Sequence, residues 1–215
     1  VFTIGIILMW FGTTASTICG SASTNVVTTI AGHESLVEHL EFSPVDSNIL
    51  LTASHDGTAR LWDVDGALTT ALSHEYRPTF AVFSPDNVHL LTGGGDSAAH
   101  LWDALNGREI IRLDTHEIVQ TATFSPDGKH VATASLGGQV RIWEIARGVE
   151  TARFQSHGGL IQIQFGRDGK SLVSASIDGT AQLWDAATGA ELAVIDTSSK
   201  LPQAILSPDG RLILA

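Results

Sequence analysis

The side chains able to do chemistry in this chain are a hydroxyl, an aspartate, a tryptophan and a histidine that return together at regular intervals. They are Thr52, Asp56, Trp62 and His74, then Thr92, Asp96, Trp102 and His116, then Ser174, Asp178 and Trp184. A hydroxyl with an imidazole and a carboxylate is the equipment of nucleophilic catalysis, in which the base takes the hydroxyl proton. Such a nucleophile must face substrate and an oxyanion hole. Here the set recurs once per unit beside an indole, and repetition of this kind marks scaffolding. Other candidates carry less. His39 and Glu41 alternate with core positions on one strand and could face a central channel, yet no further ligands converge there to hold a metal. His89, His100 and His130 read as solvated surface or strand-edge residues. Gly93-Gly-Gly-Asp96 lacks the Gly-Lys-Ser/Thr and the helix that a phosphate loop needs. The single cysteine, Cys19, excludes an internal disulfide and a cysteine-rich zinc motif, and reads as a small apolar residue. The expectation is therefore no catalytic residue, no metal and no cofactor.

The elements that position these groups follow from the spacing. The indoles at 62, 102, 143 and 184 lie 40, 41 and 41 residues apart, a period that points to stacked supersecondary units. Phe42-Ser-Pro44, Phe83-Ser-Pro85, Phe124-Ser-Pro126, Phe165-Gly-Arg167 and Leu206-Ser-Pro208 keep the same register, as do the histidines at 33, 74, 116 and 157. Within a unit, short β-rich runs are broken by Pro-Asp and Asp-Gly turns, the signature of hairpins. Four strands in about 41 residues describe one propeller blade. A small twisted sheet cannot bury both faces alone, so the blades must pack face to face, with Leu40, Phe42, Leu50, Leu61 and their equivalents between them.

On these residues the chain resembles a WD-repeat (WD40) β-propeller. Gly32-His33, the Ser-Pro-Asp turns, Asp56-Gly57 and Trp62-Asp63 match that family's markers over residues 26–215. The fold expected is all-β, with four complete four-stranded blades and partial blades at both ends. The resemblance implies a buried network in each blade: the indole N–H reaches the hydroxyl, the hydroxyl meets the histidine, and the aspartate holds the other ring nitrogen. The sets expected are His33, Thr52, Asp56 and Trp62; His74, Thr92, Asp96 and Trp102; His116, Thr133 and Trp143; and His157, Ser174, Asp178 and Trp184. Three departures stand out: Gly137 replaces the turn aspartate, Ser97 the turn glycine, and Glu144 the aspartate after tryptophan. With no carboxylate at 137, the third blade is expected to be the softest.

Residues 32–197 hold the four complete repeats and 198–215 open a further, truncated blade, so the chain reads as a fragment of a longer protein. Residues 1–31 admit two readings. Val1 to Phe11 is nearly all apolar and Ser21-Ala22-Ser23 suits a cleavage site, as in a secretory segment, but a basic start is missing and the apolar run is short for a membrane span. Against this, Cys19 precedes His33 by the same 14 residues that separate Trp102 from His116, which favours degenerate blade strands. The location follows the same choice, cytoplasmic for blade strands and extracytoplasmic for a targeting segment.

Twelve basic residues against 23 acidic ones, a net charge of -11, argue against a phosphate-binding surface, so no nucleic acid is expected. A propeller offers partners a face ringed by loops. By the family pattern, the variable positions there are His55, Gly95, Leu136 and Ile177, with Glu38, Thr79, Gln120 and Ile161 opening the first strands and Tyr76 and Arg77 close by. Tyrosine and arginine often anchor interfaces. His55, Tyr76, Arg77, Leu136, Ile161 and Ile177 are thus the expected partner-binding residues of a non-catalytic scaffold for a protein or peptide. The alternative is an accessory propeller of a larger enzyme or signalling ATPase, with other domains of the same polypeptide as partners.

Overall fold

The computed structural model describes residues 5–11, 14–20, 27–196, 204–207 and 213–214. Ser21-Ala22-Ser23, the side chain of Cys19 and the turn after Ser207 lie outside the described residues.

β1 (Gly5–Phe11), β2 (Thr14–Gly20) and β3 (Val27–His33) form a three-stranded antiparallel sheet. Four four-stranded sheets follow. The first holds β4 (Val37–Phe42), β5 (Ile49–Ser54), β6 (Thr58–Asp63) and β7 (Leu68–Ser73). The second holds β8 (Pro78–Phe83), β9 (His89–Gly94), β10 (Ala98–Asp103) and β11 (Glu109–Asp114). The third holds β12 (Val119–Phe124), β13 (His130–Ser135), β14 (Gln139–Glu144) and β15 (Val149–Gln155). The fourth holds β16 (Leu160–Phe165), β17 (Ser171–Ser176), β18 (Thr180–Asp185) and β19 (Glu191–Asp196). A hairpin of β20 (Ile205–Leu206) and β21 (Ile213–Leu214) comes last. Every sheet is an antiparallel meander in chain order, so only tight turns are needed.

The first strands of neighbouring sheets lie against one another and form the inner edge, while β7, β11, β15 and β19 are mostly exposed and form the outer one. The cores lie between sheets. Leu51, Ala53 and Leu61 of the first sheet pack with Ala81, Phe83 and Trp102 of the second. Leu91 and Leu101 pack with Val119, Phe124 and Trp143 of the third, and Val140 and Ile142 with Phe165 and Trp184 of the fourth. Leu40 and Phe42 pack beside Ile30, Leu50 and Trp62. Each indole thus plugs the seam to the preceding sheet, which is why no sheet is independent of its neighbour.

The same irregularity recurs directly before the tryptophan of each four-stranded sheet. The register of the third and fourth strands slips between Leu61 and Trp62, Leu101 and Trp102, Ile142 and Trp143, and Leu183 and Trp184. A bulge re-aims the side chain that follows it, and here that is the indole. The turn between the second and third strands needs a left-handed residue, supplied by Gly57, Gly138 and Gly179 at φ of 85°, 87° and 92°. Ser97 adopts φ 59° in their place, so this departure bends the turn without abolishing it.

Candidate functional site

In all four complete sheets the indole N–H donates to the hydroxyl ten residues before it. Trp62 reaches Thr52 at 2.8 Å, Trp102 reaches Thr92 at 2.7 Å, Trp143 reaches Thr133 at 3.0 Å and Trp184 reaches Ser174 at 2.9 Å. In the first sheet the bond continues. Thr52 Oγ lies 2.7 Å from His33 Nε2, and His33 Nδ1 lies 2.8 Å from Asp56 Oδ2. With Trp62 donating, the hydroxyl donates to the imidazole, which donates to the carboxylate: a relay running in one direction. Burial pushes His33 below the ordinary histidine value, and Asp56 pulls it partly back. Burial opposes ionisation of Asp56, but bonds from Thr58, the Glu34 N–H and His33 outweigh it and hold the carboxyl at about 2. The atoms are those of a catalytic triad, yet Thr52 is 1 % exposed and already engaged on both sides, so the relay presents no nucleophile to solvent.

The structure does not bring the other three histidines into such sets. His74 lies edge-on to Trp102 and His100 and its buried Nε2 meets no partner, while Asp96 bonds His100 Nε2 at 2.6 Å instead. Burial first, and then repulsion by His100, push His74 down to about 4. His116 and His157 are exposed. The buried place belongs to the residues before them, as the backbone shows: His74, Thr115 and Ser156 donate their N–H groups to the carbonyls of Gly57, Ser97 and Gly138 in turn. The correction was written in the spacing. Trp62 precedes His74 by 12 residues, but the later turns carry one more residue, so the equivalent places fall 13 after Trp102 and Trp143, at Thr115 and Ser156.

What fills the gap is a position that sequence reasoning passed over, two residues before each tryptophan and on the same strand face. It holds Arg60, His100, Arg141 and Gln182, spaced like the indoles themselves. His100 is 6 % exposed, not a solvated edge residue; both its ring nitrogens meet carboxylates, Asp96 and, at 2.9 Å, Glu109. Arg141 donates to Gln139 at 2.7 Å and to Glu150 at 2.9 Å. Gln182, 1 % exposed, accepts from Ser156 and donates to Glu191 at 2.6 Å. Glu109, Glu150 and Glu191 all pair with the tryptophan across the bulge, at a constant interval of 41 residues. Leu68 takes that place in the first sheet. Lacking a carboxylate there, Arg60 turns to the Gly32 carbonyl at 2.8 Å and lies 3.4 Å from Asp56, with its guanidinium over the Trp62 ring.

Gly137 does not leave its blade without an acid. A Cβ there would come within 2.7 Å of Glu117 Oε2, because that carboxylate occupies the space and accepts from Ser135. Thr115, smaller than an imidazole, leaves a void of about 10 Å³ beside Thr133 and Arg141, the size of one water.

At the end of the sheets where the fourth strand leads into the next first strand, the turns form a common face. Leu36, Tyr76, Ile118, Leu136 and Ile177 stand there about half exposed, and Arg77 is exposed. Leu36 and Ile118 were not expected. His55 pairs with Glu38. Ile161, the second residue of β16, is half-buried and packs against the cluster of Val173, Ala175 and Ala204. Thr79 lies 3.1 Å from the Val119 carbonyl and so ties two sheets together.

Four stretches of the chain, residues 24–63, 68–103, 107–144 and 148–185, match the family WD40, described as "WD domain, G-beta repeat". The chain belongs to the WD-repeat family. It is 33% identical over 93 residues to nuclear distribution protein nudF of Aspergillus niger, covering 42% of this chain and 21% of that protein. It is 38% identical over 74 residues to WD repeat and SOCS box-containing protein 1 of Danio rerio, covering 33% and 18%. It is also 33% identical over 99 residues to coronin-7 of Pongo abelii, covering 42% and 11%. The matched stretches thus span about a fifth or less of these relatives' length.

In this WD-repeat chain some polar side chains of the inner strands join one blade to the next. Glu41 accepts the Phe83 N–H of the next blade at 3.0 Å, and burial raises its carboxyl while that bond partly offsets the rise. His39 is pushed down by burial. Among the described residues no group of three or more His, Cys, Asp or Glu is placed to hold a metal ion, and no helix is long and apolar enough to cross a membrane.

Proposed function

We propose that this WD-repeat segment is a non-catalytic scaffold that docks a protein or peptide on its loop face. The observation that carries it is that Leu36, Tyr76, Ile118, Leu136 and Ile177, drawn from four successive blades, are all exposed at one end of the sheets. Water-exposed apolar side chains gathered this way mark interaction surfaces, and Tyr76 with Arg77 supplies residue types that anchor them. The blade interiors are committed to packing, which leaves recognition to the turns. The same reading takes residues 1–31 as strands of a preceding blade and 198–215 as the opening of a following one, supported by the β1-β2-β3 meander and the β20-β21 hairpin.

The test is quantitative affinity capture with the full-length protein and with a variant carrying Tyr76→Ala, Arg77→Ala and Ile177→Ala together. The variant is expected to lose the captured partner while keeping its melting temperature. Equal capture by both would overturn the assignment.

A further inference from the structure

The two ends of the sheets differ in charge. Among the described residues, the turns at the loop end, which lead into first strands and from second to third strands, carry Arg77 as their single Lys or Arg. The turns at the opposite end balance their aspartates with Arg108, Lys129, Arg147, Arg167 and Lys170. The acid excess of the chain therefore has a direction.

Not every carboxylate at the loop end is open to a ligand. Asp56 is held by His33 and Thr58, Asp96 by His100 and Arg112, Glu117 by Ser135 and Asp178 by Thr180. Glu34 and Glu75 differ. Both are exposed, and among the described residues neither carboxylate accepts a hydrogen bond or joins an ion pair. They occupy one position of the repeat, 41 residues apart, and that position holds His116 and His157 in the third and fourth blades. Glu38, exposed on β4, adds a carboxylate shared with His55.

The aliphatic side chains are distributed the other way. The turn residue after the second strand is His55 in the first blade and Gly95 in the second, but Leu136 in the third and Ile177 in the fourth. The last two flank Gly159, where an added Cβ would come within 2.5 Å of the Leu136 carbonyl and 3.3 Å of Ile177 Cδ1. Ile118, in the turn before β12, extends the same half. The loop face is thus divided, with open carboxylates beside Leu36 and Tyr76 on the first two blades and aliphatic side chains without an open carboxylate on the last two.

We propose that the segment docked there joins a run of Lys or Arg to a run of apolar residues, a refinement that rests on the loop-face assignment. Its cations lie over Glu34 and Glu75, and its apolar run over Ile118, Leu136 and Ile177. Arg77, two residues from Glu75, is left to donate to the peptide backbone. Complementary charge acts mainly on encounter and orientation, so the acidic half sets the direction in which the segment lies. Neighbouring sheets pack about 10 Å apart, which puts the centres of the two halves about 20 Å apart. An extended heptapeptide of about 23 Å covers both.

The experiment follows the fluorescence anisotropy of labelled heptapeptides titrated with the full-length protein at pH 7.5. The peptides are Lys-Arg-Lys-Gly-Leu-Phe-Leu, its neutral form Gln-Asn-Gln-Gly-Leu-Phe-Leu and its acidic form Glu-Asp-Glu-Gly-Leu-Phe-Leu. The basic peptide is expected to bind about tenfold more tightly than the neutral one, and the acidic peptide more weakly than either. Glu34→Gln with Glu75→Gln should weaken the basic peptide about fivefold, as exposed charge pairs are individually modest, and leave the neutral one unchanged. Leu136→Ala with Ile177→Ala should weaken both. Raising the salt from about 50 to about 300 mM should erase most of the basic peptide's advantage. Equal binding of the basic and neutral peptides, preference for the acidic one, or indifference to the glutamate pair would overturn the proposal. If the aliphatic pair still weakens binding in that case, docking on the loop face itself stands; indifference to both pairs would overturn the two together.

Discussion

The first and third complete blades solve one problem with different chemistry. Both must bury an indole N–H beside a threonine in the seam between sheets. The first backs Thr52 with His33 and Asp56. The third has Thr115 where the imidazole would be, and surrounds the site with Arg141 on Glu150 and with Glu117 on Ser135. The constant is the indole-to-hydroxyl bond, present in all four blades; the groups behind it vary from blade to blade. A buried polar atom is costly to leave without a partner, but the identity of that partner is free provided the atom is reached. Hence a repeat can drift in its network while keeping its fold.

The largest expected effect is at the guanidinium. Arg141→Leu removes a buried guanidinium and leaves Gln139 without its donor, while Arg153 still holds Glu150 at 2.7 Å, and should cost about 3 kcal/mol in urea unfolding. Adding Glu150→Leu should recover part of that loss, and a purely additive double variant would show that the pair is not the blade's lock.

Next comes pH in the second blade. His74 sits near pKa 4 when folded and about 6.5 when unfolded, so the unfolded chain binds more protons between these values. Stability is therefore full above pH 6.5 and falls by about 2–3 kcal/mol as pH drops to 4. His74→Leu should flatten that part of the profile; an unchanged slope would place the proton elsewhere. The first blade behaves differently, because the folded Asp56 value of about 2 lies below its ordinary one. Its contribution, about 2 kcal/mol, is present above pH 4 and lost as pH falls through 2. Asp56→Asn should remove it at neutral pH without altering the His74 slope.

The smallest effect concerns Gly137. A blade with no acid at that turn was expected to be soft, but Glu117 supplies the carboxylate. Hydrogen exchange should therefore show the third blade as protected as its neighbours, and Glu117→Ala should lower its protection by about 1 kcal/mol. Softness already present in the wild type would mean that the substitute carboxylate does not replace the missing one.

Much of this was legible in the residues. The recurring Trp62, Trp102, Trp143 and Trp184 located every third strand, and the Asp-Gly and Pro-Asp turns located the hairpins. His33, Thr52, Asp56 and Trp62 were named as one set and lie together. His116 and His157 were misplaced because residue type was followed in preference to count: the turns after Trp102 and Trp143 are one residue longer, and in a strand a slip of one reverses the side chain. Arg60, His100, Arg141 and Gln182 went unnoticed because a charge, an imidazole and an amide do not look alike, although their interval is that of the indoles.

By itself the amino-acid order determined the period and the strand count per unit, because these rest on local alternation and tight-turn chemistry within some 40 residues; the indole-to-hydroxyl pair was implied by the resemblance to the WD-repeat family. Only the tertiary structure decided which carboxylate reaches which donor and that Glu117 stands in for residue 137. Those contacts join neighbouring strands and neighbouring sheets, and their outcome depends on fractions of a turn in side-chain direction that spacing along the chain does not record.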